Sequence, residues 1–454
     1  MSLGNARHQK SGKPESTHQR SGEAARLGAG DEARLGRHET RDSGTALLDA
    51  ALTRKNLVVA WKHVKANKGS AGADGLSIAD TVEYLKTHWP LIRESLLSGT
   101  YRPSRVRRVE IPKSDGTARE LGIPTVTDRL IQQALLQVLQ PLIDPTFSDH
   151  SYGFRPGRRA HDAIVRAQGY IQAGHGIVVD VDLEKFFDRV NHDVLMDRLG
   201  KRIGDTAVLK LIRHYLQAGV MMNGVEQSRY EGTPQGGPLS PLLANVLLDE
   251  VDRELERRGH RFVRYADDCN VYVRSQMAGE RVMAGLRKVY AKLRLKINEA
   301  KSAVAKVETR KFLGFGFYVS GGEVKRRVAA KALHAYKIRI RQLTRRSGGR
   351  SMEQVVERLK AYIPGWKAYF RLSQTRRVFE DLDKWLRHRL RALHLKQWKR
   401  RERIIEALLR LGASPSDAQA VAANSRCWWK NSQMRLNRAL PISYFDRLGV
   451  PKLA

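Results

Sequence analysis

The stretch from Arg261 to Arg274, RFVRYADDCNVYVR, most constrains the fold, because two adjacent carboxylates stand between two runs of strand-forming residues. Both runs are rich in Val, Tyr and Phe, so the pattern predicts a β-hairpin with Asp267 and Asp268 at its turn. Carboxylates this close repel each other unless a cation neutralises them. The motif therefore predicts a divalent metal site, although aspartate is also common in ordinary turns.

A second acidic strand is predicted within Gly176 to Val190, where a buried β run ends in Asp180 and Asp182. Alternation with a period of two places both side chains on one face of the strand. Asp182 is nearer the C-terminal end, where sites in sheets usually open, so we prefer it as the metal ligand and assign Asp180 a structural role. Neighbouring antiparallel strands would then bring Asp182 beside the hairpin carboxylates.

The charge balance points to a polyanionic partner. The 454 residues include 82 Lys and Arg against 47 Asp and Glu, a formal net charge of +35. Cations that replace the counterions of phosphates favour nucleic acid as the partner, with an anionic membrane surface second. No apolar run is long enough to span a membrane and the N-terminus lacks the apolar region of a signal peptide, so a cytoplasmic protein without a membrane partner is expected. Two cysteines are too few for a disulfide framework or a Cys-rich zinc site.

The composition changes along the chain in a way that indicates separate regions. Residues 1–44 have few large apolar side chains, which predicts a disordered tail or a flexible nucleic-acid arm. Residues 331–410 carry 23 Lys and Arg against 7 Asp and Glu, and helical periodicity predicts helices over Met352–Tyr362 and Val378–Leu395. In the second of these helices Arg387, Arg389 and Arg391 are counted among the charges available to RNA.

Two further basic segments and the C-terminus could also meet nucleic acid. A hairpin is predicted over Tyr101–Ile123 with Lys113 and Arg119 near its tip, and Ser148–Asp162 is an Arg-rich loop with interleaved aromatics, a mixture suited to bases and phosphates. Residues 411–454 mix aromatics with Lys and Arg, which predicts either a DNA-binding tail or an aromatic plug on the helical module.

Several motifs in fixed order resemble the sequence blocks of a reverse transcriptase palm. They are Asp182 followed by Phe187-Asp188, TPQGGPLSP from Thr233, YADD from Tyr265, LKINEAK from Leu295 and FLGF from Phe312. More narrowly, the chain resembles the group II intron-encoded reverse transcriptase/maturase, because RELGIPTVTDR and SYGFRPGRRAHDA resemble the fingers motifs of that family.

The resemblance implies an α+β right-hand polymerase. Residues 45–320 would form fingers and palm around an antiparallel sheet, residues 321–410 a helical thumb/X domain, and residues 411–454 a basic aromatic segment. The C-terminal endonuclease of many mobile members is expected to be absent, since the chain shows neither its Cys pairs nor a clustered His-Asn-His pattern.

The resemblance also implies roles for particular residues. Asp182, Asp267 and Asp268 would be catalytic and would hold two Mg²⁺ ions, with Mn²⁺ as a substitute. The nucleotide-binding set would comprise Lys113 and Arg119 on the triphosphate, Phe187 against the sugar, Gln235 in the nucleotide pocket and Lys301 near the palm site. The Phe312–Phe315 segment would support the primer end.

The favoured function is RNA-directed DNA synthesis coupled to splicing. The protein would bind a structured group II intron RNA, assist its splicing and copy it from a DNA primer or target with deoxyribonucleoside triphosphates. Three alternatives remain: a host-adapted reverse transcriptase for defence or spacer acquisition, a maturase with a vestigial polymerase, and a non-catalytic basic RNA-binding protein. The three intact aspartates argue against the second, and the ordered motifs against the third.

Overall fold

The computed structural model describes residues 46–112, 118–222, 225–227, 231–233 and 236–454. Its strands are β1 (Val106–Pro112), β2 (Ala118–Ile123), β3 (Ile177–Val181), β4 (Val220–Met222), β5 (Val225–Gln227), β6 (Arg261–Tyr265), β7 (Asp268–Val273), β8 (Ala303–Lys306), β9 (Lys311–Phe312), β10 (Phe315–Ser320) and β11 (Glu323–Val328). They form three sheets within a mixed helix-and-sheet fold, and most of the helices that follow β11 pack together.

The helices divide into those that surround the sheets and those that follow them. The first group comprises α1 (Ala46–Ala51), α2 (Arg54–Ala66), α3 (Ile78–Leu97), α4 (Val126–Ile143), α5 (Ala160–Gln172), α6 (His192–Gly200), α7 (Thr206–Gln217), α8 (Ser240–Arg257) and α9 (Gln276–Lys292). The second comprises α10 (Ala330–Leu343), α11 (Met352–Phe370), α12 (Arg376–Trp398), α13 (Arg401–Arg410), α14 (Pro415–Ala423), α15 (Trp428–Asn431), α16 (Arg435–Ala439) and α17 (Ile442–Arg447). No helix within the described residues is long and apolar enough to cross a membrane.

The central sheet has the strand order β6-β7-β3-β8, and every neighbouring pair is antiparallel. The hairpin predicted over Arg261–Arg274 is therefore confirmed, and β7 lies beside β3 as expected. The hairpin predicted over Tyr101–Ile123 is confirmed by the pairing of β1 with β2. Those two strands continue into a second sheet of order β2-β1-β4-β5.

The central sheet separates two hydrophobic cores. Val179 and Val271 belong to the core around α8 and the N-terminal helices. Val178 and Tyr272, one position along each strand, belong to the core that includes α5, the β10–β11 hairpin and the C-terminal helices. Because successive side chains of a strand point to opposite faces, both faces of the sheet are covered.

Two of the predicted C-terminal helices are longer than expected. The helix predicted to end at Tyr362 continues to Phe370 as α11, although Pro364 removes one backbone hydrogen bond. Trp366 contacts Tyr336 and Phe370 at ring-centroid distances of 4.5 Å each, and this packing holds the last turns in place. The helix predicted over Val378–Leu395 is α12, and its predicted apolar face is buried.

The expectation that Arg387 and Arg391 project toward RNA is wrong. Only 2% of the Arg387 side chain is exposed, and its guanidinium lies 3.4 Å from both Asp383 and Asp446. Arg391 is also buried and donates from Nε to the Leu440 carbonyl at 2.8 Å. The reason is that the C-terminal segment covers this side of α12, so the charges face protein.

Residues 411–454 pack into the same core as α12. Leu436, Leu440 and Phe445 are fully buried, and the backbone amide of Leu453 donates to both carboxylate oxygens of Asp383 at 3.1 and 3.0 Å. This packing is the one expected of an aromatic plug. A DNA-binding role for the segment stays a prediction.

The Arg-rich loop is partly structural. The Arg155 side chain is 3% exposed, pairs with Asp144 at 3.0 Å, and donates to the carbonyls of Ser148 and Ser151. The interpretation of this loop as a nucleic-acid contact is therefore wrong for Arg155. Arg158, by contrast, pairs with the exposed Asp149 at the surface.

A fully buried ion pair connects α8 to the central hairpin. Arg264 of β6 donates from Nε to Asp252 Oδ1 at 2.8 Å and from Nη2 to Oδ2 at 2.5 Å, and neither side chain is exposed. Its Nη1 donates to Asn245 Oδ1 and to the Ala266 carbonyl, both at 2.9 Å. Ala266 has a positive φ of 58°, unusual for a residue with a Cβ, so the guanidinium holds a strained turn.

We predict that Asp252→Asn destabilises the protein by about 3–5 kcal/mol, because it leaves the Arg264 charge buried without a counter-charge. Denaturant unfolding followed by tryptophan fluorescence measures the change. Glu299→Gln is the matched control: its pair with Arg287 at 2.8 Å is half exposed, so its loss changes stability by about 1 kcal/mol or less. Equal effects of the two substitutions would contradict the role given to the buried pair.

Candidate active site

The three predicted carboxylates meet at one end of the central sheet. The β3–β7 register pairs Asp180 with Asn270 and Val181 with Cys269. The next positions on the two strands are Asp182 and Asp268, which therefore lie side by side. Asp267 precedes Asp268 in the turn that Tyr265 and Asp268 close by pairing across β6 and β7.

These carboxylates destabilise one another's charged forms. Burial, and then the negative charges of Asp180, Asp267 and Asp182, raise the pKa of the Asp268 carboxyl to about 8. Burial also raises the pKa of Asp180, although Arg310 opposes the shift. The end of the sheet therefore concentrates negative charge that either a bound cation or protonation of a carboxylate relieves.

Two cationic side chains partly supply that relief. Lys301 Nζ lies 3.6 Å from Asp182 Oδ2, and both side chains are largely exposed. Arg310 Nε donates to Asp180 Oδ2 at 2.8 Å, and its Nη2 lies 2.6 Å from the same oxygen. Asp180 thus has the structural ion pair expected of it, but it also raises the pKa of Asp268 and lines the same cleft.

The donor set suits a hard divalent cation. All the candidate ligands are carboxylate oxygens, which Mg²⁺ and similar ions prefer. Among the described residues no three His, Cys, Asp or Glu side chains form a ready-made cage for one ion. A divalent ion held by Asp182, Asp267 and Asp268 would require their side chains to turn toward one another and would relieve their mutual repulsion.

An open cleft of about 930 Å³ adjoins these groups. Asp180, Asp182 and Asp268 line one part of it, and Lys301, Arg310 and Lys331 are among the residues that line the rest. Acidic and basic groups thus face the same space. This arrangement matches a ligand that carries both bound metal and phosphate charge.

Phe187 lies beside the Gly-rich motif. It is half-buried in a short 3₁₀ turn, Phe186–Asp188, and its carbonyl accepts from the Thr233 amide at 2.7 Å. Gly232 has a positive φ of 90°, and a Cβ there would lie 2.8 Å from the Asp188 carbonyl oxygen. Only glycine permits this close approach, so the motif is fixed against the Phe187 turn.

The structure describes only some of the other residues that were predicted to bind the nucleotide. Lys301 lies beside Asp182, as given above. Lys113 and Gln235 lie outside the described residues. Arg119 pairs through its backbone with Ile111 in the β1–β2 hairpin, while its side chain lies outside the described part.

Arg310 is the site residue that sequence reasoning missed. It stands between the LKINEAK and FLGF motifs, and no spacing rule marks it. The available signal was Asp180: a carboxylate on a buried strand requires a cationic partner, and Arg310 supplies it from 130 positions along the chain.

Comparison with known proteins agrees with this site. A sequence model described as "Reverse transcriptase (RNA-dependent DNA polymerase)" matches residues 111–317, and one described as "Group II intron, maturase-specific domain" matches residues 333–409. The chain thus carries a reverse transcriptase match followed by a maturase-specific match, and it is homologous to group II intron-encoded proteins. The first match contains Asp182, Asp267 and Asp268, and reverse transcriptases generally use divalent metal ions.

Individual relatives cover parts of the chain. The chain is 39% identical over 197 residues to the group II intron-encoded protein LtrA of Lactococcus lactis subsp. cremoris, which is 43% of this chain and 32% of that protein. It is 38% identical over 208 residues to Protein YkfC of Escherichia coli (strain K12), 44% of this chain and 55% of that protein. The chain thus spans about half or less of these curated relatives.

A solved structure is also similar to part of this chain. It is titled "Partial Cas6-RT-Cas1--Cas2 complex" and shares 26% identity, with a TM-score of 0.36, over 54% of this chain and 42% of that chain.

The raised pKa of Asp268 predicts an unusual pH dependence of stability without metal. Because the folded-state pKa of about 8 lies above the unfolded value of 3.8, this carboxyl's contribution is complete below the unfolded value and is lost as pH rises through 8. Metal-free wild-type protein should therefore lose unfolding free energy progressively from about pH 4 to about pH 8, and little more above that. The Asp268→Asn variant should lose less unfolding free energy over the same pH range, because its amide does not titrate.

Denaturant midpoints of both proteins, in chelator and in saturating Mg²⁺, measure this difference. In saturating Mg²⁺ the wild type should instead have the higher denaturant midpoint, since only the wild type keeps the full set of carboxylates that would bind the ion. Asp197→Asn is the control: Lys201 lowers the pKa of Asp197, so its pH effect is confined to the acid range. Parallel pH curves for wild type and Asp268→Asn in chelator would refute the electrostatic account of the site.

Proposed function

We propose that this protein is an RNA-directed DNA polymerase that binds a folded group II intron RNA, assists its splicing and copies it into DNA. The observation that supports this most is the convergence of Asp182, Asp267 and Asp268 at adjoining ends of β3 and β7. It is supported further by a maturase-specific match over residues 333–409 of the same chain.

In this proposal Asp182, Asp267 and Asp268 hold two Mg²⁺ ions, for which Mn²⁺ can substitute. When bound, such ions stabilise the attacking 3′-hydroxyl of the primer and the leaving pyrophosphate. Lys301 lies 3.6 Å from Asp182 and balances its charge before the ions arrive. Arg310 donates to Asp180 at 2.8 Å and opposes the rise in the pKa of Asp180 that burial causes.

The incoming deoxyribonucleoside triphosphate is assigned to residues around the same cleft. We propose that Lys113 and Arg119 pair with its phosphates, that Gln235 lines its base pocket, and that Phe187 packs under its sugar. Thr233, the residue held on the Phe187 carbonyl, leads directly toward Gln235 in the chain. Nucleotide pocket and sugar contact would therefore be built from one connected turn.

Intron RNA and the DNA primer or target are the proposed macromolecular partners. The net charge of +35 favours contact with phosphates along an extended surface. Since Arg387 and Arg391 face protein, the exposed cations of α10 and of the segment that follows it become the better candidates for this contact. Shape and phosphate recognition of this kind needs no palm carboxylate.

Asp267→Asn with Asp268→Asn should separate the two activities. Primer extension on an RNA template should fall by about 10³-fold or more, because the variant loses metal ligands that supply several kcal/mol of transition-state stabilisation. Affinity for folded intron RNA and stimulation of splicing at low Mg²⁺ should be retained, since the side-chain shapes are preserved.

The matched control is the double variant Asp197→Asn with Glu299→Gln. It also removes two carboxylates, but from exposed positions. It should leave primer extension near the wild-type rate. Near-normal extension by the palm variant would refute the metal-ligand assignment. Absence of splicing stimulation by the wild type would refute the maturase half and favour a host-adapted reverse transcriptase.

Phe187→Val should let ribonucleotides into the site, because the aromatic ring under the sugar would clash with a 2′-hydroxyl. The ratio of deoxyribonucleotide to ribonucleotide incorporation should fall by about tenfold or more, equivalent to about 1.4 kcal/mol. Phe186→Leu, at the neighbouring ring that is buried in the core, is the control and should affect stability without changing the ratio. Unchanged discrimination in Phe187→Val would show that another residue selects the sugar.

A further inference from the structure

A strongly basic concavity lies between the end of α10, the end of α12 and the segment Ser425–Trp428. Its volume is about 680 Å³. The described residues that line it include no Asp or Glu but seven cations: Arg341, Arg345, Arg346, Arg389, Lys396, Lys399 and Arg426. We call this feature the arginine pocket.

Three other arginines of the same helical module are paired with acids. Arg376 lies 3.2 Å from Glu380, and Arg410 lies 2.5 Å from Glu406. Arg387 is buried between Asp383 and Asp446. In the arginine pocket, by contrast, no described carboxylate forms an ion pair with any of the seven cations. The concentration of seven cations around one concavity with no acid in its lining indicates that the counter-charge of the pocket comes from a ligand.

Two of these cations are held in place by protein contacts. Arg389 is half-buried and donates from Nε to Thr344 Oγ1 at 2.8 Å, where Thr344 is fully buried. The Arg346 guanidinium carbon lies 3.2 Å from the ring centroid of Trp428, in a cation–π contact. Burial, and then the positive charges of Arg341 and Arg346, lower the pKa of Arg389. The pocket is thus preorganised and lacks a negative charge.

The shape of the pocket bears on which anion it takes. A regular duplex presents its phosphates on a convex surface at even spacing, which a flat basic face meets best. Seven cations around one concavity carry more positive charge than a single phosphate can neutralise. They suit a turn of single-stranded or folded RNA, where several phosphates approach one another. Arginine forks match such oxygens in pairs.

We propose that the arginine pocket binds closely spaced phosphates at a backbone turn of the folded intron RNA. The inference rests on the proposed function for the identity of the RNA. Arg426 and Trp428 lie beyond the maturase-specific match, which ends at residue 409. The C-terminal segment therefore completes an RNA site, with Trp428 as a positioning residue that holds Arg346.

The test compares Arg346→Gln with Arg389→Gln against Arg376→Gln with Arg410→Gln. Both double variants remove two positive charges from the same module, but the second pair is exposed and lies outside the pocket. Each protein is assayed for affinity to a folded group II intron transcript, affinity to a DNA duplex of equal phosphate number, and primer extension on a short RNA template.

The pocket variant should bind the transcript about tenfold more weakly or worse, while its duplex affinity and primer extension stay within about twofold of the control. The salt dependence of transcript binding should also become shallower, because fewer phosphates are neutralised. Arg346→Lys should recover part of the loss, and Trp428→Leu should lose affinity although it removes no charge.

Three results would overturn the proposal: equal loss in the exposed control, equal loss for the DNA duplex, or no loss for the transcript. Arg346→Gln alone, at a half-exposed position, keeps the test valid if the double variant has a lowered unfolding midpoint. Failure of wild-type protein to bind the transcript or stimulate splicing would count against the proposed function. Normal wild-type splicing with a neutral pocket variant would count against the pocket alone.

Discussion

The Arg264–Asp252 pair is the interaction on which the acidic end of the central sheet depends. Arg264 satisfies a carboxylate of α8, an amide of the same helix and the carbonyl of Ala266, all inside the protein. Because Ala266 immediately precedes Asp267, the guanidinium fixes the turn that presents both hairpin carboxylates. Asn245 extends the network to the Gly153 carbonyl, so the Arg-rich loop is tied to the same point. A buried charge thus orders an exposed site.

The protein places its strongest local negative charge within a chain of net charge +35. At the end of β3 and β7 the carboxylates are crowded enough to raise the pKa of Asp268 to about 8. At the end of α10 and α12 the arginine pocket has the opposite imbalance. Each site lacks the charge that its proposed ligand carries, metal in the first and RNA phosphate in the second. Local imbalance, rather than net charge, distinguishes the two sites from the paired surface around them.

Local patterns predicted the hairpins and the helices of the palm, because alternation and turn residues are properties of short segments. The sequence also predicted that Asp182 lies beside Asp268. Once β3 and β7 are neighbours, their register places these two positions next to each other. Burial of Arg387 and Arg391 could not be predicted, because it depends on a C-terminal segment about fifty residues away folding over α12. Arg310 was missed because its contact with Asp180 also joins residues that are far apart in the chain. The continuation of α11 beyond Tyr362 and through Pro364 was not predicted, because it depends on aromatic packing with distant residues such as Tyr336.

The central sheet also acts as a partition between the two halves of the molecule. Val179 and Val271 contribute to one core, whereas Val178 and Tyr272, their immediate neighbours in sequence, contribute to the other. Adjacent positions of one strand therefore serve different parts of the protein: one packs into the core around α8, and the next packs into the core that includes the C-terminal helices. A substitution at one position of β3 can thus disturb one core, while a substitution at the next position disturbs the other. The five residues of β3 therefore couple the two cores mechanically through one short backbone segment.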